Sequence, residues 1–229
     1  MHHEHHVTGS ETIRDIVIGM SDGLTVPFAL AAGLSGAISS SGLVITAGIA
    51  EIVAGSIAMG LGGYLAGRTE VDHYQSELKR EYEEVERVPE QEKIEVKEVF
   101  ADFGLSEALQ DQIADELAKD KKKWVEFMMR YELGLEEPNA NRATRSALTI
   151  GISYIIGGII PLSPYVFIDS AQRALGYSCI VTIICLFAFG YFKSKMTGQP
   201  AFIGALKVVV IGALAAGAAF LTAKLINGK

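Results

Sequence analysis

The chain has 229 residues, 49% of them hydrophobic, and a formal net charge of −7. Its charges are concentrated, because 21 of the 27 acidic and 12 of the 20 basic residues lie between Arg68 and Arg142. A net charge of −9 in that segment (12 basic against 21 acidic residues) argues against nucleic acid or an anionic lipid surface as a partner. The nearly uncharged remainder indicates an integral membrane protein with one polar insert rather than a soluble globular domain.

The first 12 residues form a polar N-terminal tail. Because the tail is polar, we expect no cleavable signal peptide. Its histidines have the chemistry to chelate metal, but a disordered or artificial extension is the favoured interpretation. These histidines are His2, His3, His5 and His6.

Five stretches are long and apolar enough to span a bilayer, which takes about 20 residues as a helix. They lie at 13–34, 43–66, 146–162, 175–192 and 202–226. The third is the shortest and is predicted to end at Pro161 and Pro164, because proline lacks a backbone donor and clashes with the preceding turn. Cys179 and Cys185 lie in the fourth span and are expected to be buried apolar side chains rather than a disulfide.

The basic residues predict the orientation of the spans, because lysine and arginine are enriched in cytosolic loops. Twelve lie in the insert, and Lys193 and Lys195 follow the fourth span, whereas Arg173 is alone between the third and fourth spans. We therefore expect a cytosolic N-terminus and a cytosolic insert. The predicted organisation is a tail at 1–12, spans one and two at 13–67, a cytosolic helical domain at 68–142, and spans three to five at 143–229.

The insert is predicted to contain three helices. No glycine or proline occurs between Gly67 and Pro89, so the second span should continue as one helix of about 45 residues. A second helix is predicted over Pro89–Phe103, with proline at its first turn. A third should run over Ser106–Leu133, from a favourable cap to the residue before Gly134. The fold class is thus an all-α membrane protein of five spans, with a three-helix cytosolic insert between spans two and three.

Two carboxylates lie inside predicted spans, Asp22 in the first and Glu51 in the second. An acid at that depth costs roughly 3 kcal/mol, which favours a function over a packing role in which it bonds Ser21 or Thr25. Met59 lies at about the depth of Asp22, so we expect these two to meet across the antiparallel helices. An oxygen beside a thioether favours a first-row ion such as ferrous iron over calcium or magnesium.

Acidic and thioether side chains recur within one helical turn of each other along the insert. The candidate ligands are Glu81, Glu84, Glu92, Glu95, Met128, Met129 and Glu132. From spacing alone, the favoured interpretation is a solvated acidic face that neighbouring cations neutralise, and metal binding is the alternative. The neighbouring cations are Lys79, Arg80, Lys93 and Lys97.

Enzyme motifs are missing from the sequence, so we expect neither an enzyme nor a catalytic cofactor. There is no Gly-rich phosphate loop and no His-Glu-x-x-His motif. Two other classes remain open. A membrane-anchored metal sensor would not need acids in its spans, and a di-iron oxidase would need histidine ligands, whereas His73 is the only histidine outside the tail.

Two stretches resemble the signatures of the vacuolar iron transporter family, IRDIVIGMSDGLTVPFAL in the first span and EIVAGSIAMGLGGYLA in the second. The insert resembles that of the plant members, and the resemblance covers nearly the whole chain after Glu11. It implies a homodimer in the vacuolar membrane that exports ferrous iron from the cytosol in exchange for protons. Manganese, cobalt and zinc ions are further implied substrates.

The resemblance also implies roles for particular residues. Asp22, Glu51 and Met59 match the conduction path of the family, and the seven insert candidates match its cytosolic metal-binding domain. The resemblance therefore reverses the preference at the insert, from a solvated face to metal ligands.

Overall fold

The computed structural model of the chain describes residues 7–226, with side chains from residue 11 onward. The tail histidines lie outside the described residues, whereas residues 7–12 of the predicted tail form the start of the first helix. Within that range the regular elements are helices. The one pairing of extended backbone there is an isolated antiparallel bridge between Ser40 and Ser170.

The described chain forms eight α-helices and one π-helical turn. In order they are α1 (Val7–Ala37), α2 (Ser41–Arg87), α3 (Pro89–Asp102), α4 (Glu107–Leu117), α5 (Lys121–Phe127), the π-helical turn (Met128–Glu132), α6 (Arg142–Phe167), α7 (Ala171–Met196) and α8 (Ala201–Ile226). Five of these, α1, α2, α6, α7 and α8, are long and apolar enough to cross a membrane. An all-α chain with five candidate membrane spans is therefore confirmed.

The helices form two compact units. The spanning unit comprises the described residues of Met1–Tyr64 and Thr144–Lys229, and the insert unit comprises Leu65–Ala143. The boundary between them falls within α2 and within α6.

In the spanning unit, α6 packs closely against both α1 and α2 at glycines. A Cβ atom at Gly23 of α1 would lie 2.3 Å from the carbonyl oxygen of Tyr154, and one at Gly55 of α2 would lie 2.5 Å from the hydroxyl of the same tyrosine. Small residues let membrane helices approach each other to this degree. Because one contact falls on the backbone of Tyr154 and the other on its side chain, α1, α6 and α2 meet at this one residue.

The third span does not end at Pro161 and Pro164 as predicted, because α6 continues past both prolines. Pro164 has no N–H for the carbonyl of Ile160, and the hydroxyl of Ser163 donates to that carbonyl instead, at 2.8 Å. The Ser178 hydroxyl of α7 donates to the carbonyl of Pro161 at 2.7 Å. A serine hydroxyl that satisfies the carbonyl freed by a proline, as Ser163 does, makes the proline tolerable inside a membrane helix.

The first two insert helices agree with the prediction in continuity and starting point. α2 is a single helix of 47 residues. α3 begins at Pro89, and the chain leaves it through Gly104, whose φ of 78° lies in the left-handed region that favours glycine.

The third insert helix, predicted over Ser106–Leu133, is interrupted. Ser106 is the N-cap of α4 as expected, but α4 ends before Asp120. The Asp120 carboxylate accepts a hydrogen bond from the amide of Lys123 at 3.3 Å and thereby caps a new helix, α5. The predicted single helix is therefore two helices followed by the π-helical turn.

An apolar core holds the insert helices together. Its buried members come from α2, α3, α4, α5 and the π-helical turn, and they are Val85, Val96, Ala114, Trp124, Val125, Met128 and Met129. The candidate glutamates lie on three of the same elements, so this core fixes the backbone that carries them.

Candidate functional site

The insert unit brings five acidic candidates together. α2 contributes two, α3 contributes two and the π-helical turn contributes one, and they are Glu81, Glu84, Glu92, Glu95 and Glu132. The carboxylate of Glu92 interacts electrostatically with the other four. We call these five side chains the insert cluster.

Two members of the insert cluster are buried without full hydrogen bonding. Glu81 is 2% exposed and Glu92 is 3% exposed. The Oε2 atom of each is buried, and neither has a hydrogen-bond partner in the described part of the molecule. Since burying an unpaired carboxylate oxygen is unfavourable, the fold keeps these two groups at a cost in stability, as functional sites often do.

Three members of the cluster, Glu81, Glu92 and Glu132, have a pKa above that of an ordinary glutamate. Burial raises the pKa of Glu92 to about 7, and repulsion by Glu95, Glu81 and the other members adds to the effect. The pKa of Glu132 is also raised to about 7, first by desolvation and then by its acidic neighbours, although the residue is exposed at the surface. A dication bound among these groups would relieve this repulsion.

The cations expected to neutralise the cluster are mostly engaged elsewhere. Of the four neighbouring cations, Arg80 contacts candidate ligands. Its Nη2 lies 3.7 Å from Glu81 and its Nε lies 3.3 Å from Glu84. The other three pair with acids outside the cluster, Lys79 with Glu83 (3.8 Å), Lys93 with Asp115 (2.8 Å) and Lys97 with Asp111 (2.5 Å). Together with the burial of Glu81 and Glu92, this argues against a solvated, neutralised face.

The two candidate methionines belong to the core of the insert. Met128 is 0% exposed and Met129 is 2% exposed. Both lie in the π-helical turn, where the amide of Leu133 donates to the carbonyl of Met128 at 3.1 Å. Short π-helical segments are rare and occur frequently at functional sites. Whether the sulfur atoms bind metal remains a prediction.

The described part of the chain contains no group of three or more His, Cys, Asp or Glu side chains already arranged to hold a metal ion. The insert cluster is therefore a set of neighbouring carboxylates rather than a formed coordination shell. Metal binding there would require side-chain movement.

In the spanning unit, Glu51 bonds to a residue that the sequence did not point to. The Tyr154 hydroxyl of α6 donates to Oε1 of Glu51 on α2. The other carboxylate oxygen, Oε2, is buried and has no hydrogen-bond partner among the described residues. The only signal in the sequence was indirect: an acid in a span needs a donor, and few polar side chains occur in the third span.

Asp22 lies near the same tyrosine. Its side chain is half-buried on α1 and interacts electrostatically with the Tyr154 phenol. The Thr25 hydroxyl donates to the carbonyl of Ser21 at 2.8 Å, so its proton is not available to Asp22. A structural role in which Asp22 is held by the Thr25 hydroxyl is therefore less well supported. Met59 is half-buried on α2, and its meeting with Asp22 remains a prediction.

Comparison with known proteins yields close relatives over nearly the whole chain. A model of the VIT family matches residues 13–224. A vacuolar iron transporter of Centaurea cyanus is 55% identical over 223 residues, which are 97% of this chain and 91% of that protein. Vacuolar iron transporter 1 of Arabidopsis thaliana is 52% identical over 226 residues, 99% of this chain and 90% of that protein.

Vacuolar iron transporter 1 of Oryza sativa subsp. japonica is 52% identical over 228 residues, 100% of this chain and 90% of that protein. These relatives carry the names of transporters, in agreement with the expectation that the chain is not an enzyme. Because the family match and the relatives both cover almost the full length, the chain belongs to the vacuolar iron transporter (VIT) family.

Proposed function

We propose that the protein moves ferrous iron from the cytosol into the vacuole as a multi-pass protein of the vacuolar membrane. Several relatives are named vacuolar iron transporters, and five of the described helices suit a membrane. Manganese, cobalt and zinc ions are further proposed substrates.

The transport is proposed to be an exchange for protons. The observation that carries this is Glu51, a carboxylate in an apolar span with one oxygen bonded to Tyr154 and one buried without a partner. A buried acid with a free oxygen can accept a proton or contact a passing cation. Each pH unit across the membrane supplies about 1.4 kcal/mol per proton to drive the exchange.

Each predicted residue has a separate role in the proposed path. Asp22 and Met59 bind the partly dehydrated ion in the spans. Glu51 assists its passage or relays the proton, and Tyr154 orients Glu51. In the insert, the five acids of the cluster, with Met128 and Met129, gather metal before it enters the path.

The proposed topology follows the distribution of basic residues. The tail at 1–12 and the domain at 68–142 face the cytosol, and that domain binds metal. The spans at 13–67 and 143–229 carry the path, and two copies of the chain associate as a homodimer. A metal sensor and a di-iron oxidase remain the alternatives, and neither accounts for the names of the relatives.

A flux measurement on the full chain tests the proposed function. The purified protein is placed in liposomes with an acidic interior, and uptake of Fe²⁺, Mn²⁺, Co²⁺ and Zn²⁺ is recorded together with internal pH. We expect metal uptake accompanied by alkalinisation of the interior, because protons leave as metal enters. Uptake that persists unchanged after a protonophore collapses the gradient would refute proton exchange, and uptake of none of the four ions would refute transport.

A further inference from the structure

Arg80 lies among the acids of α2 and contacts three of them. Its guanidinium Nη2 is 2.7 Å from Oε2 of Glu77 and 3.7 Å from Oε1 of Glu81, and its Nε is 3.3 Å from Oε2 of Glu84. Two of these acids belong to the insert cluster, and the third, Glu77, does not. Arg80 therefore carries a fixed positive charge at the edge of the cluster.

The Arg80 charge does not pair with every carboxylate oxygen of the cluster. Oε2 of Glu81 and Oε2 of Glu92 remain buried without a hydrogen-bond partner in the described structure. The Arg80 side chain is half exposed, so the guanidinium contacts the cluster from its solvent side rather than filling it. Arg80 thus leaves these two buried oxygens without a hydrogen-bond partner among the described residues.

We propose that Arg80 is a built-in competitor that lowers the affinity of the insert cluster for divalent metal. The inference rests on the proposed function, in which the cluster binds metal before transport. A dication bound to Glu81 and Glu84 would lie close to the guanidinium, and like charges at such distances repel. The guanidinium must move away from Glu81 and Glu84 for metal to bind there, and its closest ion pair, with Glu77 at 2.7 Å, can hold it when it does.

A weakened site suits a transporter better than a tight one. An ion held too firmly at the entrance is not released to the path, since conduction requires binding that is strong enough to capture and weak enough to release. Arg80 would supply this adjustment without being a metal ligand itself.

The test is metal binding to the full-length protein in detergent, measured by calorimetry with Mn²⁺ and Co²⁺. Arg80→Gln should bind about tenfold more tightly than the unaltered protein, because a repelling charge is removed. Arg80→Lys, which keeps the charge, should stay close to the unaltered protein. The matched control is Lys79→Gln, since Lys79 is 80% exposed and pairs at 3.8 Å with Glu83, outside the cluster, and the affinity of this variant should change by less than about twofold.

A second pair of variants keeps the proposal testable if Arg80→Gln does not fold, which the fluorescence of Trp124 reports. Glu77→Gln removes no candidate ligand but removes the group to which Arg80 withdraws, so metal should bind about fivefold more weakly. Glu83→Gln makes the same change of charge beside Lys79 and should bind like the unaltered protein.

Unchanged or weaker binding by folded Arg80→Gln overturns the proposal, as does equal affinity of the Glu77→Gln and Glu83→Gln variants. The double variant Glu81→Gln/Glu92→Gln separates this failure from failure of the proposed metal site. If the double variant binds metal like the unaltered protein, the insert cluster is not the site. If it loses binding and Arg80→Gln is no tighter, the role of Arg80 alone is wrong.

Discussion

At the scale of single residues, the spans hold a carboxylate whose two oxygens have different surroundings. Tyr154 donates to Oε1 of Glu51, and Oε2 has no partner in the described structure. The bond fixes one oxygen and leaves the other available, an asymmetry that suits a group required to bind and release a cation or a proton.

Tyr154→Phe should lower the rate of metal uptake about tenfold, because it removes a hydrogen bond to a charged group in an apolar span. The variant keeps the ring that packs against Gly55. Tyr64→Phe, at an exposed position on α2, is the control and should transport normally. Equal rates for the two variants in the liposome assay would show that the hydroxyl has no part in transport.

The raised pKa of Glu92 predicts how the stability of the insert depends on pH. Between its ordinary pKa of 4.5 and its folded pKa of about 7, the folded insert binds more protons than the unfolded chain. The free energy of unfolding should therefore fall as pH rises through this range. Trp124, the only tryptophan, is 4% exposed in the insert core and reports the transition.

In metal-free protein, the Tm from Trp124 fluorescence should be lower at about pH 8 than at about pH 5. Glu92→Gln should reduce this difference, because a glutamine cannot ionise. Glu98→Gln, an exposed acid on the same helix, should leave it as it is. The explanation fails if Glu92→Gln and the unaltered protein lose the same Tm between the two pH values.

The sequence alone did not predict Tyr154 as the hydrogen-bond partner of Glu51. Glu51 and Tyr154 are 103 positions apart, and their bond depends on how α2 packs against α6. A tyrosine in an apolar span has no periodicity or motif of its own. The two acids, by contrast, were predictable as functional candidates because a charge in hydrocarbon needs an explanation by itself.

At the scale of elements, two connections on one end of the spanning unit are joined. The amide of Ser41 donates to the carbonyl of Asp169 at 3.2 Å, and that of Ala171 donates to the carbonyl of Ser39 at 3.0 Å. Ser40 and Ser170 lie opposite each other between these bonds, as a non-hydrogen-bonded antiparallel pair. In the proposed orientation, this end faces the vacuole.

Cysteines at both positions, Ser40→Cys and Ser170→Cys, should form a disulfide under mild oxidation, because Cα atoms in such a pair lie about 4.5 Å apart. The background is Cys179→Ala/Cys185→Ala, so that no other thiol reacts. If the ion leaves between these connections, oxidation should stop uptake and reduction should restore it. Full uptake by protein shown to be cross-linked by mass spectrometry would place the exit elsewhere.

Most helices were predictable from apolar length and from the lack of glycine and proline, and the exceptions have local causes. Pro164 did not end α6 because the neighbouring Ser163 satisfies the carbonyl of Ile160. Asp120 interrupted the third insert helix because its carboxylate caps α5. Both are side-chain hydrogen bonds to backbone, which compete with the helix pattern at single positions.

At the scale of the whole molecule, the candidate acids divide between two compact units, for which different roles are proposed. In the spanning unit, Asp22 and Glu51 stood out from the sequence on physical grounds. In the insert, the spacing of the acidic pairs alone favoured an ordinary charged surface, and the preference for metal ligands came from the family resemblance. The structure adds that Glu81 and Glu92 are buried. Burial depends on the packing of α2 against the other insert helices, which the spacing of charges along one helix does not encode.

The acids in the spans are proposed to carry the metal across the membrane. The direct test is pH-driven Fe²⁺ uptake into liposomes by Asp22→Asn, beside Asp169→Asn as a control. The control makes the same chemical change at an exposed position in the connection between α6 and α7.

We expect Asp22→Asn to fold normally and to bind metal at the insert but to take up none, whereas Asp169→Asn should transport like the unaltered protein. Near-normal pH-driven uptake by folded Asp22→Asn would contradict this proposal.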